Sequence, residues 1–175
     1  MARADVVYES IWGNTEAVAR AVADGVASVL GEGAVDVREA EAADGLGPEV
    51  VLLVVGGPTH AFGMSRPATR ESAKDRGATA VPGAGIREWI DGLASPRTAV
   101  AVATFDTRTV SPRLPGSAAK KALKRLVALG FEPAAKPETF GVHGYEGPLA
   151  DGELERARAW GVTLAGRAES RGAGG

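Results

Sequence analysis

Hydrophobic positions along the chain follow strand-like and helix-like patterns in alternation. Residues 6–8 form a short apolar strand, and residues 34–38 form a second one. Between them, apolar residues recur at the spacing of one helix face: Val18, Ala21, Val22, Gly25, Val26 and Val29. Residues 50–55 are apolar without alternation, which is typical of a central strand that is buried on both faces of a parallel sheet.

The second half of the chain continues this alternation. The remaining predicted elements are a polar helix at 67–76, an amphipathic turn at 86–93, a strand at 98–104, a helix at 117–129, a weaker strand at 139–142 and a last helix at 151–165. The alternation predicts an α/β fold: a three-layer α/β/α sandwich with right-handed crossovers around a five-stranded parallel sheet.

Composition narrows the class of protein. The 175 residues are 45% hydrophobic and 24% charged, which predicts one globular domain over residues 1–165 and a frayed, Gly-rich tail over 166–175. Cysteine is absent, which excludes disulfides, cysteine metal ligands and thiol nucleophiles. The formal net charge of −2 gives no reason to expect nucleic acid or a membrane surface, and the two histidines give no reason to expect a metal site. The sequence shows no long apolar run and no signal-peptide pattern, so we expect a cytoplasmic location.

The loop after the first strand has the composition of an anion-binding site. It comprises Ser10, Ile11, Trp12, Gly13, Asn14 and Thr15, and a helix follows it at once. The free backbone N–H groups and the positive dipole end of that helix would face a phosphate, while the side chains add two hydroxyls and an amide. The loop has no Lys or Arg, so neutral dipoles would hold the dianion. The alternative is an ordinary strand-to-helix turn with Asn14 as the N-cap.

Two further loops are expected at the same edge of the sheet, because ligands of open α/β sheets bind beyond the carboxyl ends of the strands. One covers residues 56–67 and follows the third strand. The other begins at residues 104–108, after the fourth strand, and continues at 114–117. The sequence therefore predicts a single ligand site that three loops share.

At these loops the chain resembles the flavodoxin family. The run Ser10-Ile11-Trp12-Gly13-Asn14-Thr15 is similar to the family's phosphate loop, and Gly56-Gly57-Pro58-Thr59 is similar to the loop that flanks the flavin ring. The run Gly144-Tyr145-Glu146-Gly147-Pro148-Leu149 is similar to the segment before the last helix. The resemblance implies a sheet in the order 2-1-3-4-5, bound FMN and electron transfer, with no catalytic residue in the protein itself.

The resemblance and the residues together give a predicted FMN site. Its members are Ser10, Ile11, Trp12, Gly13, Asn14, Thr15, Pro58, Thr59, His60, Phe62, Gly63, Thr104, Phe105, Asp106 and Arg108. The first six would bind the phosphate, and Trp12, His60, Phe62 and Phe105 are the candidates for the faces of the ring. Alternatives remain at four places. Phe62 would fill the core under its loop, and His60 would form hydrogen bonds within its loop. Asp106 would pair with Arg108, and the cations at 120–125 would be a solvated helix face rather than a docking patch.

Departures from the family pattern leave three functions open. Many flavodoxins carry a tyrosine in the third loop, whereas none occurs between Thr104 and Ser117, and many are strongly acidic, whereas this chain is nearly neutral. FMN-dependent quinone reductases have histidine and consecutive glycines there, which this chain lacks. The leading hypothesis is an electron carrier between a reductase and an acceptor protein. The alternatives are an FMN-dependent NAD(P)H:quinone-type oxidoreductase and a flavin-free interaction module.

Other proteins of similar architecture fit the sequence poorly. A response-regulator receiver needs an aspartate at the end of the third strand, where this chain has Gly56, and a small tyrosine phosphatase needs a cysteine. The glycine patterns of dinucleotide and nucleoside-triphosphate sites are missing from the first turn, so these nucleotides are not expected as ligands.

Overall fold

The computed structural model describes residues 2–174, which form alternating strands and helices. The strands are β1 (Arg3–Tyr8), β2 (Val35–Glu39), β3 (Val50–His60), β4 (Gly63–Met64), β5 (Ala101–Thr109), β6 (Glu132–Pro133) and β7 (Glu138–Val142). The helices are α1 (Asn14–Leu30), α2 (Pro67–Asp75), α3 (Ile86–Asp91), α4 (Ala118–Ala128) and α5 (Glu153–Gly172). None of the helices in residues 2–174 has the length and apolar character that crossing a membrane requires.

The central sheet has the predicted strand order. Strands β2, β1, β3 and β5 lie side by side and parallel, and both β6 and β7 pair in parallel with β5, so they share the edge position. The order 2-1-3-4-5 is therefore confirmed, with an interrupted fifth strand. An addition is β4, which turns back antiparallel on the end of β3.

Helices cover both faces of the sheet and enclose two cores. On one face, α1 and α5 bury Val22 and Leu164 against the sheet. These helices approach closely at two glycines: a Cβ on Gly25 would lie 2.0 Å from the carbonyl oxygen of Arg158, and one on Gly161 would lie 2.2 Å from that of Val22. Only glycine at positions 25 and 161 lets α1 and α5 come this close. On the other face, the buried side chains of α3 and α4 pack with Val7, Leu53, Val55 and Met64.

Three predicted elements end later than expected. Strand β3 continues past residue 55, and the strand predicted at 98–104 lies at Ala101–Thr109, because pairing with β3 and β7 extends it to Thr109. The last helix continues beyond residue 165, because Ala168 is buried one turn after Leu164 and keeps the apolar stripe in contact with the core. The predicted tail, 166–175, is thus helical as far as Gly172, and Gly175 lies outside the described residues.

Candidate functional site

The first loop presents unpartnered backbone donors beyond β1. Gly13 precedes α1 in the left-handed conformation (φ 91°), and its N–H donates to Ser10 Oγ at 3.2 Å. The N–H of Ala17 is the first in α1 to bond back to the chain, donating to the Gly13 carbonyl at 3.1 Å. The N–H groups of Asn14, Thr15 and Glu16 consequently have no backbone partner in residues 2–174. Such donors at the positive end of a helix dipole are suited to bind an anion.

The polar side chains of this loop are already engaged elsewhere. Thr15 is buried, and its hydroxyl forms a 2.7 Å hydrogen bond with that of Thr107 on β5. Asn14 Nδ2 donates to the Glu146 carbonyl at 2.9 Å, which ties the first loop to the segment before α5. Asn14 does not cap α1 with its side chain, so the N-cap alternative is wrong. Backbone N–H groups therefore offer more free donors for a phosphate than these side chains do.

The second loop ends in a strained hairpin. His60 pairs with Gly63 across a two-residue turn in which Ala61 (φ 43°) and Phe62 (φ 73°) both adopt the left-handed region. Turns of this kind favour Asn and Gly, and a residue with a Cβ costs about 1–2 kcal/mol at each position. Phe62 is 51% exposed, so it does not fill the core. Strain combined with an exposed aromatic ring is typical of a functional loop.

Asp106, on β5, links the second and third loops through hydrogen bonds. Its Oδ2 accepts hydrogen bonds from Ser117 Oγ (2.6 Å), Thr59 Oγ1 (3.0 Å) and the N–H of Ala119 (3.1 Å). The N–H of Ala118 in turn donates to Thr59 Oγ1 at 3.0 Å. A buried carboxylate at the start of α4 is stabilised by the helix dipole. Asp106 is therefore a structural anchor of the loops.

Arg108 has a similar structural role at the third loop. It does not pair with Asp106, and its Nη1 donates to the Gly116 carbonyl at 2.6 Å. Gly116 packs on the hairpin, since a Cβ there would lie 2.3 Å from the carbonyl oxygen of Phe62. Arg108 thereby holds the third loop against the second.

Two predicted site residues are wrong because β5 is longer than expected. Phe105 is fully buried, and its ring meets Phe140 and Trp160 edge-on at centroid distances of 5.9 and 6.3 Å. Thr104 is also buried and donates to the Ala119 carbonyl at 2.8 Å. Both lie in the strand with their side chains in the two cores, so neither reaches a ligand at the loops.

The three loops enclose a cavity of about 150 Å³ at the carboxyl edge of the sheet. Nine predicted site residues line it: Ile11, Trp12, Asn14, Thr15, Pro58, Thr59, His60, Phe62 and Arg108. Ser10 and Gly13 instead face a neighbouring cavity on the β2 side, and Gly63 is buried beneath Lys121. Eight further lining residues are not in the predicted site: Ala61, Thr107, Thr109, Leu114, Pro115, Val142, Gly144 and Tyr145.

Aromatic and apolar side chains surround the mouth of this cavity. Tyr145 lies against Trp12, with ring centroids 5.6 Å apart, and the Arg76 guanidinium lies 5.2 Å from the Tyr145 centroid. Tyr145, Phe62 and Leu114 are each more than half exposed. A cluster of exposed apolar groups at one cavity is a feature of ligand and partner sites. The motif at residues 144–149 was the available signal for Tyr145, although it gave no indication of a contact with Trp12.

His60 carries no charge at neutral pH. The pKa of His60 is lowered to about 4, mainly by partial burial and to a smaller extent by the positive charges of Arg70 and Arg76. Its side chain makes no hydrogen bond within residues 2–174, so the predicted hydrogen-bonding role in the loop is not observed. The site thus contains a neutral imidazole next to exposed aromatic rings.

A buried polar network supports the second loop from the side of α2 and α3. Glu9, the residue before the first loop, accepts hydrogen bonds from Ser65 Oγ and from the N–H of Ile86 (3.0 Å). Arg70 donates to Ser65 Oγ at 2.8 Å and forms an ion pair with Glu88. Burial raises the pKa of Glu9. The network fixes the base of the loop on which His60 and Phe62 lie.

Solved structures resemble this architecture over nearly its whole length. A flavodoxin from the domain Archaea aligns over 97% of this chain and 99% of its own, with 20% identity and a TM-score of 0.64. Flavodoxin 2 from Bacillus cereus aligns over 94% and 99%, with 18% identity and a TM-score of 0.65. The chain has a flavodoxin-like fold. A flavodoxin, WrbA-like protein from Agrobacterium tumefaciens shares this fold, with 16% identity, a TM-score of 0.61 and coverage of 97% and 99%. No family model and no curated protein matches the sequence.

Proposed function

We propose that this flavodoxin-like protein binds FMN at the carboxyl edge of its sheet and carries electrons between a reductase and an acceptor protein. One observation carries the proposal. The unpartnered N–H groups at the start of α1 lie next to a cavity that exposed aromatic side chains surround. An anion-binding helix end next to aromatic faces suits a ligand that combines a phosphate with a planar ring. Neighbours of the same fold that are named flavodoxins add support.

The phosphate end of FMN fits the first loop. The N–H groups of Asn14, Thr15 and Glu16 supply three donors, and the left-handed Gly13 has no Cβ to obstruct the approach. Ser10 Oγ accepts from the N–H of Gly13 and keeps its own hydroxyl proton for the ligand. Dipoles rather than a cation would therefore hold the dianion.

The ring end requires a rearrangement at the cavity mouth. A pocket for a ligand of this size measures about 300–1,000 Å³, and the cavity has about 150 Å³. The exposed side chains of Tyr145 and Phe62 and the half-buried ring of Trp12 lie outside the two cores, so they can rotate without disturbing them. We infer that Trp12 and Tyr145 separate to admit the ring, and that the backbone of residues 58–60 lies along its polar edge.

When bound, FMN supplies the redox chemistry, and the protein controls binding and access. The loop dipoles orient the phosphate, the aromatic side chains exclude water from the ring faces, and His60 stays neutral beside it. This division of roles assigns no catalytic residue to the chain. The carrier role is favoured over the oxidoreductase because an oxidoreductase must also bind the phosphates of NAD(P)H, and Arg108, the cation that lines the cavity, is engaged with the Gly116 carbonyl.

Two experiments test the proposal. The absorbance spectrum of the purified protein, or of protein incubated with FMN, should show bound flavin, and mass spectrometry of the released flavin should identify FMN rather than FAD. Holo-protein mixed with NADPH alone should bleach slowly, and quickly only after a flavoprotein reductase is added. Fast bleaching with NADPH alone, followed by quinone turnover, would establish the oxidoreductase instead. Protein that binds no flavin would support the interaction module.

A further inference from the structure

A group of cations surrounds the β4 hairpin and lacks carboxylate partners. Arg66, Lys120, Lys121 and Lys124 are exposed and Arg87 is half-buried, and we call these five residues the basic surface. None of them forms an ion pair with a carboxylate in residues 2–174, where nine other pairs occur. These five cations therefore have no direct carboxylate partner on a chain whose net charge is −2, and Glu88 and Asp91 are the acids whose charge acts on Arg87 from nearby.

The basic surface is contiguous with the hairpin that β3 and β4 form at the end of the second loop. Arg87 donates to the carbonyl oxygens of Met64 (2.9 Å) and Ser65 (3.1 Å), so its guanidinium lies at β4. Lys121 lies over the same strand, because a Cβ on Gly63 would be 2.9 Å from its Nζ. The positive charge of Arg66, besides burial, lowers the pKa of Arg87, which is consistent with their proximity. The cations thus lie beside exposed Phe62.

Three of the four cations of α4 oppose the stability of the helix. Lys120 and Lys121 lie in its first turn and Lys124 follows them, whereas Arg125 lies in the last turn and pairs with Asp91. Cations near a helix N-terminus face the positive end of the helix dipole, and like charges four residues apart, as in Lys120 and Lys124, repel each other. Helices α1 and α5 have acids in their first turns instead. A charge pattern that disfavours folding indicates a use in binding.

Acidic side chains collect on the other side of the site. Glu39 and Glu41 line a cavity of about 510 Å³ beside β1 and β2, and Glu16, at the same cavity, pairs with Arg20. Positive charge therefore predominates near β4, and negative charge predominates near β2. Such a distribution orients a charged partner before contact and raises its association rate.

We propose that the basic surface, with Phe62 at its edge, docks an acidic protein that exchanges electrons with the flavin. The inference rests on the proposed FMN site and adds the chemistry of the partner and its location. An exposed apolar group with a charged surround is the usual anatomy of a transient interface. Complementary charge sets the encounter rate and the choice of partner.

The test measures electron transfer from a reduced plant-type [2Fe–2S] ferredoxin, an acidic protein, to the holo-protein by stopped flow. The variant K120E/K121E reverses two charges of the basic surface and places acids where the α4 dipole favours them, so folding should be retained. The control K136E/R158E makes the same charge change at exposed positions away from the β4 hairpin. Oxidation of the photoreduced variants by a neutral quinone reports whether the flavin itself is unchanged.

We expect K120E/K121E to slow reduction by ferredoxin about 10-fold or more at about 0.01 M ionic strength, and the control to change it less than about 2-fold. The difference should disappear near 0.5 M salt, where screening is strong. Equal slowing in both variants, or an unchanged rate in K120E/K121E, would overturn the proposal. An unchanged ferredoxin rate together with slower bleaching of the K120E/K121E holo-protein by NADPH alone would also overturn it and assign these cations to a nucleotide phosphate.

A second measurement separates this inference from the proposed function. If the protein takes up no FMN, the electron-carrier proposal fails, and fluorescence anisotropy of labelled ferredoxin titrated with apo-protein then tests the surface alone. Salt-sensitive binding that K120E/K121E abolishes would support the basic surface. The absence of binding at about 0.01 M ionic strength would contradict it.

Discussion

The ring of Trp12 lies against that of Tyr145, with centroids 5.6 Å apart and planes inclined at 51°. This contact joins the loop after β1 to the segment before α5, across the mouth of the candidate site. It places an aromatic ring at the cavity although the third loop has no tyrosine. Tyr145 would then supply a face for the flavin from a different segment of the chain.

Tyr145→Ala should weaken the binding of FMN and of riboflavin alike, by about 2- to 10-fold, because a stacked aromatic pair contributes about 0.5–1.5 kcal/mol. Tyr145→Phe should bind both ligands nearly as well as the wild type. Flavin fluorescence titration measures these affinities. If Tyr145→Ala binds FMN more tightly, the tyrosine obstructs the site instead of stacking on the ring.

Two substitutions at Ala61, in the hairpin turn, should change the free energy of unfolding in opposite directions. Ala61→Asn should stabilise the protein by about 1 kcal/mol, because Asn tolerates the left-handed conformation. Ala61→Val should destabilise it by a similar or larger amount, since β-branched residues disfavour positive φ. Urea unfolding followed by circular dichroism measures both. Equal stabilities of the two variants would mean that the turn does not adopt this conformation.

Asp106→Ala should cost about 2–4 kcal/mol of unfolding free energy. The substitution removes an acceptor that three buried or half-buried donors share, those of Thr59, Ser117 and Ala119. FMN affinity should fall as a consequence, because the second and third loops lose their common anchor. Loss of FMN binding with an unchanged urea midpoint would instead identify Asp106 as a ligand contact.

Stability should fall between about pH 6.5 and pH 4 because of His60. Its pKa is lowered to about 4 in the folded protein from an ordinary value of 6.5, so the unfolded chain binds more protons in this window. The contribution is fully present above pH 6.5 and is lost as the pH falls, by a total on the order of 1–3 kcal/mol. Glu9, with a raised pKa, acts in the opposite direction.

His60→Asn should remove most of this pH dependence while leaving the contribution of Glu9. Urea midpoints at a series of pH values measure the slope for the wild type and the variant. Parallel curves would show that His60 titrates normally in the folded state.

The sequence was sufficient to predict the alternation of strands and helices, and the resemblance of three loops to flavodoxins predicted the strand order. The free N–H groups at the start of α1 follow from a local pattern, a glycine before an amphipathic helix. Phe105 was misplaced because the sequence does not show whether the strand ends at this apolar residue or continues beyond it. Pairing with β7 extends the strand past Phe105.

The rest of the site depends on contacts that local patterns do not encode. Trp12 and Tyr145 are 133 positions apart, and their contact exists only once α1 and the last segment pack against the sheet. The turn at Ala61 and Phe62 lacks the Asn or Gly from which a hairpin turn with left-handed residues is predicted. Tertiary structure holds it in place, as Gly116 packs on Phe62.

The affinity of the apo-protein for FMN relative to riboflavin tests the central claim most directly, because the two ligands differ only in the phosphate. We predict that FMN binds with one-to-one stoichiometry and about 100-fold more tightly than riboflavin, as several N–H donors at a helix terminus contact the dianion. Ser10→Asp should remove most of this preference through charge repulsion, whereas Ser95→Asp, at the opposite edge of the sheet, should retain it. Equal affinity for FMN and riboflavin in the wild type, or no binding of either, would contradict the account.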